Sequence, residues 1–296
     1  MARRPKTKAD QLDLFIADLV DVPVKGERET LSLPFFSLSK GKRSRMTYER
    51  NGALVDVSAP AHIGIANIWD SDVLLWCASE IIAARERGRE TSPRLSLRPY
   101  ELLRATGRDT GGGSYDQLLS EDGGALARLK ATTVKTNVRG PGGDRTVLFS
   151  WLERVQIDRD VAGNVKAVEI TLPQWFYDAV MNGTVLTLSP EYFKITSGLE
   201  RWLYRLVRRH AGNQSHGWTF SMDELHRKSG SSRVLKYFAR DMRQIVAANA
   251  LPEYHLEMIK LQGGPGVHAV RRSLLALDHP AAKAEALGRH KRIPKF

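Results

Sequence analysis

From residue 70 onward the chain alternates between stretches whose apolar residues recur every three or four positions and shorter stretches in which apolar and polar residues alternate. That plan is laid out twice. Asp70-Ser-Asp72 heads a long apolar run over 73–87 that Gly88 closes, which predicts a capped helix. A short extended piece, Leu95-Ser-Leu97, leads to Pro99-Tyr-Glu-Leu-Leu-Arg-Ala-Thr106, with Pro99 suited to the first helical position and Gly107 to the stop. After the glycine turn Gly111-Gly-Gly-Ser114, a further helical stretch ends in Ala125-Leu-Ala-Arg-Leu-Lys130, although Gly123-Gly124 would cost about 1 kcal/mol apiece in a helix interior. The period then drops to two. The β-branched and aromatic runs 132–138 and 145–152 flank Arg139-Gly-Pro-Gly-Gly-Asp144 as a hairpin, and a second hairpin turns near Gly163-Asn164.

Residues 173–183 read as a short amphipathic helix connecting the two plans. The second plan opens with a helix over 198–210. The strand Trp218-Thr-Phe220 precedes the capping box Ser221-Met-Asp-Glu224, whose helix runs to about Lys228. The turn Ser229-Gly-Ser231 delivers the chain into another helical stretch. Two extended runs, 254–261 and 267–275, then flank Gln262-Gly-Gly-Pro-Gly266. Helix, strand, helix, tight turn, helix, hairpin is the order of a winged helix. The expected fold class is therefore α+β: two tandem winged-helix domains with flexible basic termini. The expected boundaries are an N-terminal arm over 1–30, a first domain over 31–172, a connector over 173–184, a second domain over 185–278 and a basic tail over 279–296.

The stretch "SGSSRVLKYFARDMRQI" (229–245) is the most informative. At 100° per residue, Arg233, Lys236, Tyr237, Arg240 and Gln244 share about 100° of arc. Leu235, Phe238, Met242, Ile245 and Val246 fall opposite, as a face that docks on the preceding helices. The outward comb suits a major groove, where Arg and Lys pair with guanine and Tyr reaches a phosphate or a thymine methyl. In such docking the amino-terminal residues of the helix reach the bases, so Ser231, Ser232, Arg233, Lys236 and Tyr237 are the expected base contacts, with Arg240 and Arg243 on phosphate. At the hairpin tips Arg139 and Arg145, and after the second hairpin Arg271 and Arg272, are expected on the phosphate backbone. Arg128, Lys130 and Lys135 of the first domain are further candidates for phosphate.

Composition agrees with this reading. The 296 residues suit about two domains, with 42% hydrophobic and 26% charged residues as in folded proteins. The 45 Lys and Arg against 33 Asp and Glu leave a net charge of +12, which points to a polyanionic partner. No apolar run is long enough for a membrane span or a signal sequence, so no membrane association and a cytoplasmic location are expected. A single cysteine, Cys77, excludes an intramolecular disulfide framework; set in an apolar helix, it reads as a buried structural thiol.

Signs of catalysis do not emerge. There is no P-loop motif, the eight histidines are scattered, and Gly111-Gly-Gly113 follows no strand that would make it a phosphate cradle. His255 and His268 flank one hairpin and are expected as a cross-strand surface pair. The chain reads as a non-enzyme without cofactor or metal.

Several blocks carry a family likeness: "SLPFFSLSKGKR" (32–43), "NIWDSDVLLWCAS" (67–79), "LSLRPYELLRATGR" (95–108), "LARLKATTVKTNVR" (126–139), "MDELHRKSGSSRVLKYFARDMRQIV" (222–246) and "LPEYHLEM" (251–258). In this order, across roughly residues 12–276, they resemble the plasmid replication initiator protein A family of proteobacteria. One extra helical turn between Leu118 and Ala125 departs from the pattern. The resemblance implies tandem winged helices that bind repeated origin sites as monomers. It also implies opening of adjacent A·T-rich DNA, recruitment of the host initiator and helicase, and repression of the protein's own promoter as a dimer. Two recognition helices on one chain are expected to enter major grooves about 10 base pairs apart. A DNA-binding repressor without initiator activity, or a scaffold whose winged helices bind protein, are the alternatives.

Overall fold

Helix α1 (Ser71–Glu86) is buried on every side, from Ser71 through Ser79 to Ile81 and Ala83, because its apolar residues are not confined to one stripe. It belongs to a computed structural model that describes residues 14–15, 34–50, 52–137, 146–182, 186–212 and 214–275. Apart from 14–15, the expected N-terminal arm lies outside the described residues, as do Arg139, Arg145 and the tail 279–296. The chain divides into two units, Met1–Trp202 with Lys228–Gly230, and Leu203–Arg227 with Ser231–Phe296.

Before α1 the first unit contains β1 (Leu14–Phe15), β2 (Arg45–Arg50) and β3 (Ala53–Ser58). After α1 come β4 (Arg94–Leu97), α2 (Pro99–Ala105), α3 (Gly112–Leu119), α4 (Ala125–Ala131), β5 (Thr133–Thr136) and β6 (Val147–Ser150). Then follow β7 (Arg154–Arg159), β8 (Val165–Thr171), α5 (Gln174–Met181), β9 (Leu186–Thr187) and α6 (Gly198–Ala211), whose C-terminal part belongs to the second unit. One antiparallel sheet has the order β2-β3-β5-β6 and another β4-β8-β7, while β1 pairs with β9.

Glycine explains the break between α3 and α4. Gly123 has φ +108, in the left-handed region that only glycine adopts readily, and a Cβ on Gly124 would stand 2.6 Å from the Ser120 carbonyl oxygen. Gly123 thus sits in the turn between the helices and Gly124 is the N-cap of α4, so the cost expected for two glycines inside a helix does not arise. Gly112-Gly113-Ser114, read as a turn, is instead the first turn of α3 with Gly111 as its N-cap.

The segment expected to link two domains is part of the first core. Phe176 and Val180 of α5 are buried, Trp175 lies 5.0 Å from the Phe149 ring, and Arg85 donates to the Met181 carbonyl at 2.6 Å. A helix with that apolar face is held by burial rather than left as a tether. Past it, Tyr192 and Phe193 are buried too, and the first unit runs on to Trp202.

A buried ion cluster ties these elements together. Asp70 was expected to cap α1 but makes no side-chain cap bond. Its carboxylate accepts the Asn67 amide at 2.9 Å and the Arg128 guanidinium at 2.6 and 2.7 Å. Burial pushes the Asp70 carboxyl up, against the pull of Arg128. Asp72, fully buried, accepts Arg201 Nη1 at 2.9 Å and Arg108 Nη2 at 3.0 Å. Arg201 also donates to the Ile195 and Phe193 carbonyls at 2.7 and 3.1 Å. Cys77 is buried in α1, and desolvation pushes its thiol up, which leaves it unreactive.

The second unit holds the end of α6, β10 (Trp218–Ser221), α7 (Met222–Ser229) as far as Arg227, α8 (Leu235–Ala248), β11 (Tyr254–Leu261) and β12 (Gly264–Arg271). Its sheet has the order β10-β12-β11. Leu203, Val207, Phe220, Leu225, Phe238, Met242, Tyr254, Leu256 and Val267 form the core. The same plan is visible in the first unit: β4, entered before α2, pairs with β8, the second strand of the hairpin β7–β8, as β10, entered before α7, pairs with β12. Among the described residues no helix is long and apolar enough to cross a membrane.

Candidate nucleic-acid interface

Helix α8 is set by the elements around it. Ser221 Oγ accepts the Glu224 amide at 3.1 Å, the capping bond that starts α7. Residues 230–234 then turn the chain into α8, which buries Phe238, Ala239, Met242, Ile245 and Val246. At its far end Asn249 takes a left-handed φ of 48 and returns its amide to the Ile245 carbonyl at 2.9 Å. The Asn249 side chain accepts the Leu256 amide at 2.9 Å, locking the helix end to β11.

Opposite the buried stripe, Lys236, Tyr237, Arg240, Arg243 and Gln244 are exposed, and the Arg240 guanidinium lies over the Tyr237 ring at 5.6 Å. Ser231 is half-buried and Ser232 exposed. Two expectations for this helix change. Arg233 precedes α8 rather than lying on it; its carbonyl meets His226 Nε2 at 2.6 Å and its guanidinium pairs with Asp241. Leu235, placed on the docking face by the 100° period, is 38% exposed, whereas Phe238 one turn later is buried.

The hairpin β11–β12 turns tightly at 262–263, with Leu261 opposite Gly264, so Gly264-Pro-Gly266 belong to the strand and not to the loop. A Cβ on Gly266 would meet the Phe220 carbonyl oxygen at 2.8 Å, which lets β10 approach only a glycine. The cation beside this tip is Lys260, exposed. Arg271 and Arg272 sit at the other end of the hairpin, where Arg271 is opposite Tyr254. Arg271 pairs with Glu253 at 3.3 Å, and Arg272 donates to the Asn249 carbonyl at 2.7 Å, closing the end of α8. Arg271 and Arg272 therefore stand away from the turn, since seven strand positions span about 24 Å. His255 and His268 do not face each other either; His255 is opposite Val270 and His268 opposite Glu257. Among the described residues no group of three or more His, Cys, Asp or Glu side chains is placed to hold a metal ion.

Where β10 begins, Gly217 has φ +71, and a Cβ there would fall inside contact with the Ala269 carbonyl oxygen. Gly217→Ala is expected to destabilise the second unit by about 1–3 kcal/mol, read as a lowered melting temperature; an unchanged melt would mean that β10 can shift to make room.

In the first unit Arg128 is not available to phosphate as expected, because a buried carboxylate, Asp70, holds it in a bidentate pair. Lys130 and Lys135 are exposed, and Lys135 is opposite Asp56, whose carboxyl is held below the usual range by Arg45. The strand pair β5–β6, whose turn was expected to contact DNA, lies in a sheet that has no counterpart among the described residues of the second unit. The counterpart of the hairpin β11–β12 is β7–β8, with exposed Arg159 and Lys166 flanking its turn.

A model of the family described as replication initiator protein A matches residues 25–256. The chain belongs to that family. It is also 31% identical over 249 residues to a protein of Wigglesworthia glossinidia brevipalpis named "Putative replication protein", covering 82% of this chain and 88% of that one. Among solved structures, domains 2 and 3 of RctB superpose with a TM-score of 0.59 at 13% identity, over 86% of this chain and 98% of theirs. A second crystal structure of the same domains gives 0.53 at 14% identity, over 80% and 94%. At such identity the likeness is one of fold, a mixed helix-and-sheet architecture.

In this initiator-family chain Lys260, Arg159 and Lys166 are exposed cations beside hairpin turns that the sequence pattern alone did not single out. Lys260 stands directly before the turn at 262–263, a signal that was legible.

Proposed function

We propose that this chain is a plasmid replication initiator that binds repeated double-stranded sites in its own origin through α8 of the second unit. The exposed cationic face of α8 carries this reading: Lys236, Tyr237, Arg240 and Arg243 stand on the outside of a helix whose other side is core. In it each unit is a winged helix, with α8 entering a major groove and Lys260 at the wing tip following a phosphate strand. Ser231, Ser232 and Lys236 are the proposed base contacts. Arg233 joins them only when DNA displaces Asp241. Lys130, Lys135, Arg159 and Lys166 of the first unit add contacts to the backbone.

As an initiator, the protein would work in the bacterial cytoplasm, open the neighbouring A·T-rich DNA and hand it to the host initiator and helicase. A dimeric form would repress its own promoter. None of this requires a catalytic group, a cofactor or a metal.

The test is a footprint of the purified protein on the origin of its own replicon, with affinity measured against salt. Regularly repeated protection is expected. With six to ten phosphates neutralised, affinity should fall by about three to five orders of magnitude between 50 and 200 mM salt. Absent protection, or affinity indifferent to salt, would reject the reading. Maintenance of a plasmid on which this gene is the sole initiator separates initiation from DNA binding alone.

A further inference from the structure

The leading end of α8 is aliphatic. Val234, its N-cap, is 67% exposed, Leu235 is 38% and Tyr237 49%. Among the described residues eight large hydrophobic or aromatic side chains are exposed, and these four consecutive positions hold three of them. Leu235 lies on the angular side that is buried one turn later at Phe238 and Ala239, yet is itself exposed. Arg233, the cation directly before this pair, is paired with Asp241, and its carbonyl is held by His226. The exposed leading end of the helix therefore carries a pair of branched apolar side chains, followed at once by Lys236 and then by Arg240 and Arg243.

An apolar tip followed by cations is complementary to a surface with anionic rims and apolar points on its floor. The major groove is such a surface: phosphates line its edges, and within it the C5-methyl group of thymine is the one apolar feature that a base pair presents. We infer that Val234 and Leu235 read thymine by contact with its C5-methyl group, so that part of the site's specificity is apolar rather than hydrogen-bonded. This rests on the origin-binding reading above and adds to it the identity of the base and the chemical group recognised. Packing against a methyl removes apolar surface of both partners from water, whereas cytosine at the same place offers a hydrogen at C5 and no such gain.

Uracil differs from thymine only in lacking that methyl group, and it keeps the groove's hydrogen-bonding groups. The origin fragment of the parent replicon is amplified once with dTTP and once with dUTP, and the affinity of the full-length protein for each is measured at one salt concentration. A methyl group buried at the interface corresponds to about 0.8 kcal/mol, or roughly fourfold in affinity, so two should give roughly fifteenfold weaker binding to the uracil fragment. The double variant Val234→Ala, Leu235→Ala should bind the thymine fragment more weakly than the wild type and bind the two fragments alike. Both side chains are exposed, so this variant should melt at the wild-type temperature. The single variant Val234→Ala, with a partial loss of discrimination, guards against a double variant that misfolds.

Equal wild-type affinity for the two fragments overturns the inference while leaving origin binding intact. A thymine preference that survives in both variants assigns methyl recognition to other residues and overturns it as well. Failure of the wild type to bind either fragment defeats the origin-binding reading itself, and this inference with it.

Discussion

Asp72→Ala is expected to destabilise the first unit by about 3–5 kcal/mol, the usual result of leaving a buried charge without its partner. The Asp72 carboxylate is completely buried and the Arg201 side chain almost so, at 4% exposure. Removing the carboxylate strands Arg201 and leaves Arg108, itself only 22% exposed, without an anion. Arg201 further holds the carbonyls of Phe193 and Ile195 and lies 4.9 Å from the Tyr192 ring, so the turn Pro190–Lys194 should loosen as well. In a unit of this size the loss corresponds to a fall in melting temperature of roughly 6–20 °C. Thermal and urea unfolding report it, and a loss under about 1 kcal/mol, the level of an exposed pair, would show that water reaches the cluster. Replacing Asp72 and Arg201 together by leucine should cost much less than either single change, because the penalty lies in the unpaired charge rather than in the missing bond.

Lys236→Ala should lower affinity for the origin site by about 1–3 kcal/mol and relax discrimination at one base pair. Arg243→Ala should weaken binding to all sequences alike and reduce the slope of log affinity against log salt by about 1. Both side chains are exposed on α8, so neither change should alter the melting temperature. Arg272→Ala should do the reverse. Its guanidinium caps the Asn249 carbonyl, so its loss should lower stability by about 1 kcal/mol and leave the salt slope unchanged. Titration of origin and scrambled DNA at several salt concentrations, together with melting curves, separates these three outcomes. If Lys236→Ala lost affinity equally on both DNAs, Lys236 would move from base contact to phosphate contact.

Much of the helical framework was legible because it depends on local chemistry. Pro99 at the start of α2, the Ser221 cap of α7 and the 3.6-residue period of Phe238, Met242, Ile245 and Val246 each express a preference held within a turn or two. The hairpin β2–β3 was equally local and was overlooked; the dipeptide Asn51-Gly52 between two alternating runs is a strong hairpin signal. The partners of the charges were not legible. Arg128 and Arg243 look alike as members of a basic sequence, yet one is bound to Asp70, 58 positions away, and the other stands in solvent.

By itself, then, the sequence determined the order of helices and hairpins, the cationic excess and the family blocks, since propensity, period and composition act over a few residues or need no geometry at all. Only the tertiary structure decided which hairpins correspond, that α5 is core, and which arginines brace the fold while others remain open to a ligand. Those outcomes depend on strand pairing and on the desolvation of Asp70 and Asp72, and both arise between residues far apart along the chain.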